Sequence, residues 1–176
     1  KEVYTSNVSV VNQKPFVFNM SIRRNLDFVD KNIQHQIEAC KKAGIHDFIE
    51  TLPDGYNTIL RENGSNVSGG QKQMISIART ILSDAEVLLF DDITTSLDPD
   101  TAKLVPKLID NLKKDHTIIM ITKKPELMKT ADKIVVLDHG KINDIGTHKQ
   151  LTQTNEIYQM LQSRKSPSKI GVFDNV

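Results

Sequence analysis

Tryptophan is absent from the 176-residue sequence, cysteine occurs once, and aromatic residues make up only 5% of it. A lone Cys40 forms no internal disulfide, and with no C-x-x-C pair or Cys/His cluster there is no zinc framework, which points to a reducing compartment. No run reaches the roughly 18 to 20 apolar residues of a membrane-spanning helix, and the stretch from Lys1 to Asn7 lacks the apolar core of a signal peptide. Charge of one sign is also missing, because 23 Lys plus Arg face 22 Asp plus Glu for a net charge of +1. A nucleic-acid binder concentrates its cations into an excess or a stripe, so no nucleic-acid partner is expected. The basic pairs Lys41-Lys42, Lys113-Lys114, Lys123-Lys124 and Arg164-Lys165 read as solvated faces and helix ends, with Lys123 set apart below. What is present, 38% hydrophobic and 26% charged residues, suits a globular domain or a large part of one.

Along the chain, Val8-Ser9-Val10-Val11 reads as a strand and is followed by a Pro-containing loop from Asn12 to Asn19. Ser21 caps a short helix, a second helix runs from Asn32 to Ala43 and stops at Gly44, and a third spans about Ile45 to Leu52 before Pro53-Asp54-Gly55. Together they form a small helical lobe. Met74, Ile75, Ile77, Ala78, Ile81 and Leu82 recur at helical spacing, giving an amphipathic helix from about Gly69 to Leu82. Val87-Leu88-Leu89-Phe90 and Thr117 to Ile121 are unbroken apolar runs that suit parallel strands covered on both faces. Helices are expected from about Thr101 to Leu112, around Pro125 to Met128 and from Glu156 to Gln162. His139-Gly140 marks a hairpin turn, and Ser163 to Val176 reads as a mobile tail. The alternation of helices with buried strands argues for an α/β layered domain.

Two constellations carry chemistry. In Asn66-Val67-Ser68-Gly69-Gly70-Gln71, Ser68 and Gln71 have the spacing of a helix capping box. A capping box does not need two glycines, each of which costs a helix about 1 kcal/mol relative to Ala. Without Cβ atoms, the first-turn N–H groups are open to close approach, and a helix N-terminus attracts phosphate. In the second, the run from Val87 to Phe90 ends in Asp91-Asp92, two carboxylates at the carboxyl edge of a sheet, where open α/β folds bind ligands. They could serve as turn caps, but the pair suits a magnesium site in which one carboxylate holds the ion and the other orients or deprotonates a water.

The order of these elements resembles the ATP-binding cassette (ABC) transporters. Gln13, in Val11-Asn12-Gln13-Lys14-Pro15-Phe16, stands as their Q-loop, Val67-Ser68-Gly69-Gly70-Gln71 as the signature, and Asp91-Asp92 as the end of Walker B. Ser96-Leu97-Asp98 stands as the D-loop, and Lys123, in Ile121-Thr122-Lys123-Lys124, at the switch. Leu52-Pro53-Asp54-Gly55-Tyr56, Arg61-Glu62-Asn63-Gly64 and Ser21-Ile22-Arg23-Arg24-Asn25-Leu26 are similar to the exporter subfamily. The resemblance implies the α/β core of a P-loop NTPase with a helical signature subdomain at about 20–85 inside a partial ATP-binding domain spanning 1–162. It also implies ATP and Mg2+ as ligands, a second nucleotide-binding domain as partner, and a transmembrane domain fused upstream or associated, at the cytoplasmic face of a membrane. Ser68, Gly69, Gly70 and Gln71 would face a nucleotide held mainly by the partner. Gln13 would work near magnesium or water, Asp91 would hold the metal, Asp92 would stand as the base, and Asp98 would act across the dimer interface or simply cap the following helix.

The sequence departs from that pattern in three places. No G-x-x-x-x-G-K-[ST] occurs: Gly64 and Gly69 have the spacing but are followed by Gly70-Gln71, and Gly140-Lys141 is followed by Ile142. The expectation is a fragment that begins after its Walker A loop and binds ATP weakly or not at all alone. Asp92 replaces the usual Glu, which retracts the carboxylate. Lys123 replaces the usual His, and an ammonium has no lone pair to accept a proton. The signature, with Val67 for its usual Leu, stays otherwise intact. This asymmetry resembles the degenerate-site subunit of heterodimeric exporters. The rivals are a soluble ABC-type ATPase of DNA repair or translation and a non-catalytic interaction fragment.

Overall fold

The structure, a computed structural model, describes residues 7–163, and its contacts divide the chain after Thr122 into two compact units. The expected tail from Ser163 onward therefore lies outside the described residues except for Ser163, which closes the last helix.

The first unit contains a parallel sheet in the order β1-β2-β3, formed by Val8–Val11, Val87–Asp91 and Thr117–Ile121. Its helices are α1 (Ile22–Asp27), α2 (Ile33–Ala43), α3 (His46–Thr51), α4 (Gly69–Leu82), α5 (Pro99–Ala102) and α6 (Val105–Leu112). Ser21 and Asn32 accept first-turn N–H groups at the starts of α1 and α2, and α2 ends on Gly44 at φ 78°, a left-handed position that glycine adopts without Cβ strain. The apolar face of α4 packs on α2 and on the sheet side, burying Ile75, Ile77 and Ala78 completely. Thus the fold is the expected mixed α/β core with a helical lobe.

Two expectations are corrected. The helix from Thr101 to Leu112 is two helices, because Pro106 has no N–H to return to the turn before it and its ring crowds the carbonyl four residues back. Among the described residues, the sheet is covered on one face only. Leu88 and Phe90 are fully buried, whereas Ile119 and Ile121 on the other pleat of β3 are 51% and 58% exposed. Because β1, β2 and β3 are paired in register, Val8 and Val10 share this open face with them.

Gly64 is required by its surroundings. It sits at φ +63°, and a Cβ there would lie 2.7 Å from Val17 Cγ2 and 2.9 Å from Lys72 Cδ. Gly64→Ala combines left-handed strain with overlap against a buried valine, so it is expected to destabilise the unit by about 2 kcal/mol. The check is a lowered thermal unfolding midpoint, and an unchanged midpoint would show that the loop relaxes freely.

The second unit holds α7 (Pro125–Met128), a hairpin of β4 (Ile134–Asp138) and β5 (Lys141–Gly146), α8 (His148–Thr154) and α9 (Glu156–Ser163). His139 at φ 44° and Gly140 at φ 75° make the tight turn, in the conformation that suits strand twist. Met128, Val136, Leu151 and Tyr158 form its core. Helix α8 adds an element to the sequence expectation, and its start is a capping box between Thr147 and Gln150.

Candidate functional site

The first turn of α4 forms the capping box that its sequence spacing allows. Ser68 Oγ accepts the Gln71 N–H at 3.1 Å, and Gln71 Oε1 accepts the Ser68 N–H at 2.8 Å. Both side chains are therefore engaged in shaping the helix end. The next main-chain donor, Lys72 N–H, goes to the Ser68 carbonyl. Gly69 and Gly70 carry the first-turn N–H groups that a helix cannot satisfy internally. Around them, the described residues give no steric reason for glycine. A Cβ at Gly69 would come no closer than 3.4 Å to the Ser96 carbonyl, and one at Gly70 no closer than 3.6 Å to Asp98 Oδ2, Leu97 Cδ2 or the Ser96 carbonyl. These are ordinary contacts. The same distances place the signature glycines against Ser96-Leu97-Asp98, far away in sequence.

The carboxyl end of β2 brings the second group together. Asp91 ends the strand half-buried, and no side-chain hydrogen bond or ion pair holds its carboxylate among the described residues. Asp92 turns the chain back at φ 42°, a left-handed conformation that Asp tolerates better than most residues, while its N–H donates to the Ile121 carbonyl at 2.9 Å. Asp92 Oδ2 accepts the Thr95 hydroxyl at 2.8 Å and the Gln13 amide at 3.4 Å. Ser96 Oγ in turn donates to the Gln13 carbonyl at 3.4 Å. Gln13, Asp91, Asp92 and the segment from Thr95 to Asp98 thus gather at one sheet edge.

Asp98 is the N-cap of α5. Its Oδ1 accepts the Asp100 and Thr101 N–H groups at 3.1 and 3.0 Å, and its Oδ2 accepts the Thr101 hydroxyl at 2.6 Å. The Thr101 hydroxyl first, and then the Thr101 N–H, hold its carboxyl below the usual range. Of the two roles open to Asp98, the helix cap is therefore formed within the chain. Lys123 follows β3 by a short loop, opens the second unit and is exposed.

The donor set suits magnesium only in part. A carboxylate at Asp91 and an amide oxygen at Gln13 are hard donors of the right kind, and the Gln13 nitrogen is the atom given to Asp92. No group of three or more His, Cys, Asp or Glu side chains is gathered for a metal among the described residues. Magnesium is commonly held by one or two carboxylates together with water and substrate phosphates, so these residues fit a site that a nucleotide completes.

Sequence reasoning passed over Thr95, Gln73 and Arg79, all of which touch the site's loops. Gln73 Nε2 donates to the Asn12 carbonyl at 3.2 Å, and the Arg79 guanidinium donates to the Phe16 carbonyl. Gln73 was legible as a polar residue on the apolar face shared by Gly70, Met74 and Ile77.

With this geometry in hand, comparisons with known proteins identify the family. A family model described as ABC transporter matches residues 1–95. The chain is 39% identical over 160 residues to an ATP-dependent lipid A-core flippase of Haemophilus influenzae (strain 86-028NP), covering 89% of this chain and 27% of that protein. It is 38% identical over 165 residues to the ATP-binding cassette sub-family B member 5 of Homo sapiens, covering 92% of this chain and 13% of that protein. Among solved structures, a bacterial Atm1-family ABC exporter with ATP bound superposes with a TM-score of 0.84 at 31% identity, over 89% of this chain and 28% of that one. The chain thus spans about a quarter of the flippase and exporter chains and less of the human relative. No helix among its described residues is long and apolar enough to cross a membrane. The chain belongs to the ABC transporter family, as a nucleotide-binding domain related to those of ABC exporters.

Proposed function

We propose that this chain is the part of an exporter's ATP-binding domain, spanning 1–162 with a helical subdomain at about 20–85, that lends its signature to a nucleotide held mainly by a second nucleotide-binding domain. The chemistry is phosphoryl transfer from ATP to water, coupled to a transmembrane domain at the cytoplasmic face of the membrane. The observation that carries this reading is the pair Gly69 and Gly70. Their N–H groups lead a helix of 14 residues, and nothing among the described residues excludes a Cβ at either position. Ser68 and Gln71 hold that helix end in place.

On the chain's own side, Asp91 and the Gln13 amide oxygen would hold Mg2+, which when bound neutralises phosphate charge and orients the transferring group. Asp92 occupies the position of the base and is shorter than the Glu usual there, while motif order alone assigns Lys123 as the switch. Asp98 keeps its cap and presents Ser96 and Leu97 beside the signature. With both departures on hydrolytic residues and the signature intact, the reading extends to the degenerate-site subunit of a heterodimeric pair.

Phosphate release separates this from an autonomous enzyme. The 176-residue chain alone is expected to show background ATP turnover, since no G-x-x-x-x-G-K-[ST] cradle occurs in its sequence. The transporter assembled with a second nucleotide-binding domain is expected to hydrolyse ATP steadily. Steady turnover by the chain alone overturns the proposal.

A further inference from the structure

Helix α4 grips the Gln13 loop on both sides. Gln73 has no exposed surface, yet its Nε2 is given to the Asn12 carbonyl at 3.2 Å. Further along the helix, the Arg79 guanidinium is given to the Phe16 carbonyl, and burial lowers the pKa of that group. At Gln73, packing alone would favour an apolar residue, as at the equally buried Ile75, Ile77 and Ala78. Gln73 also leaves its Oε1 buried without a hydrogen-bond partner among the described residues, a costly arrangement for an amide that served only to fill space. What both side chains have in common is the backbone on either side of Gln13. That loop is tied again at its centre, where the Gln13 carbonyl accepts Ser96 Oγ and the Gln13 amide reaches Asp92 Oδ2, both at 3.4 Å.

We propose that Gln73 and Arg79 are positioning residues that clamp the Gln13 loop to the signature helix. The first turn of α4, with Gly69 and Gly70, and the Gln13–Asp92 pair are thereby held in one register. A displacement of α4 along or about its axis is carried into the Gln13 backbone, because the helix transmits it as a rod and two separate carbonyls receive it. The proposal rests on the ATPase function above.

The test uses the full transporter with Gln73→Met, Arg79→Lys, Arg79→Met, Gln13→Ala and the Gln13→Ala/Gln73→Met double variant. Methionine keeps the volume and flexibility of glutamine without its donor. Gln73→Met and Arg79→Met are each expected to lower kcat about tenfold, within the hundredfold that misplacement by about 1 Å costs, with the KM for ATP within about twofold. Arg79→Lys retains most of the activity. In the double variant, the Gln73 change adds no further loss to that of Gln13→Ala, since it acts through that residue. Losses that multiply, or an unchanged kcat in Gln73→Met, overturn the clamp. Amide hydrogen exchange across residues 12–16 is a second readout that needs no turnover. It is expected to accelerate in Gln73→Met while α2 is unaffected, and unchanged exchange also overturns the proposal. Failure of the ATPase reading looks different: a transporter without ATP turnover fails that reading, while the exchange measurement still decides the clamp.

Discussion

Gly70→Ala in the assembled transporter is expected to cut ATP turnover by on the order of a hundredfold, the loss typical of a blocked anion-stabilising donor, without harming the fold. The two effects separate because the substitution meets two different environments. Inside the chain, the new Cβ lies 3.6 Å from Asp98 Oδ2, Leu97 Cδ2 and the Ser96 carbonyl, ordinary contact distances that require no rearrangement. Alanine is also the better helix former by about 1 kcal/mol, so the unfolding midpoint is expected to stay level or rise. Gly70 is buried beside Ser96-Leu97-Asp98, so the added methyl group narrows the seat in which that segment and a phosphate would meet the first-turn N–H groups. Phosphate-release kinetics and thermal unfolding on the same variant decide the matter. Turnover near that of the parent would mean that nothing approaches this backbone closely, and the phosphate reading would fail. Gly64→Ala is the contrasting control, since its Cβ collides with the chain's own Val17 and Lys72.

The contrast between those glycines shows what was legible in the sequence. Helix α4 could be bounded at Gly69 and Leu82 because its start carries a capping spacing and its body keeps a helical apolar period. The hairpin at His139-Gly140 was equally plain, since local turn chemistry determines it. Helix α8 escaped because only Leu151 is buried along it, which leaves no period to detect, although the Thr147 and Gln150 capping pair was there to see. The open face of β3 was beyond reach in principle. An unbroken apolar run records that a strand can be covered on both sides, not that the described residues supply both covers. At the site, Asp91 and Asp92 could be placed at a sheet edge from the run before them. The hydroxyl of Thr95 on Asp92 could not, because it depends on the left-handed turn at Asp92, which a short polar sequence does not specify.

That turn bears directly on Asp92, the residue proposed as the base. In a transporter already carrying Gly70→Ala, expected to silence the nucleotide site that this signature is proposed to complete, residual turnover is expected from the site on the chain's own side. Adding Asp92→Glu and Lys123→His to that background is expected to raise the residual rate by up to about a hundredfold, the scale of correcting a misplacement of about 1 Å. The longer side chain of Glu advances the carboxylate, whereas Asp92 is held back with Oδ2 on the Thr95 hydroxyl at 2.8 Å and the Gln13 amide at 3.4 Å. Histidine supplies the lone pair that the Lys123 ammonium lacks. The gain has a structural cost: at φ 42° Glu is tolerated less well than Asp, so the Asp92→Glu variant is expected to lose about 1 kcal/mol of stability. Thermal unfolding measures that loss independently of activity. A residual rate that stays at background after both substitutions, in a protein that still folds, would show that Asp92 and Lys123 are not what limits this site, and the degenerate-site assignment would fall. A restored rate accompanied by the stability loss would tie the slow site to a residue that suits the turn better than the chemistry.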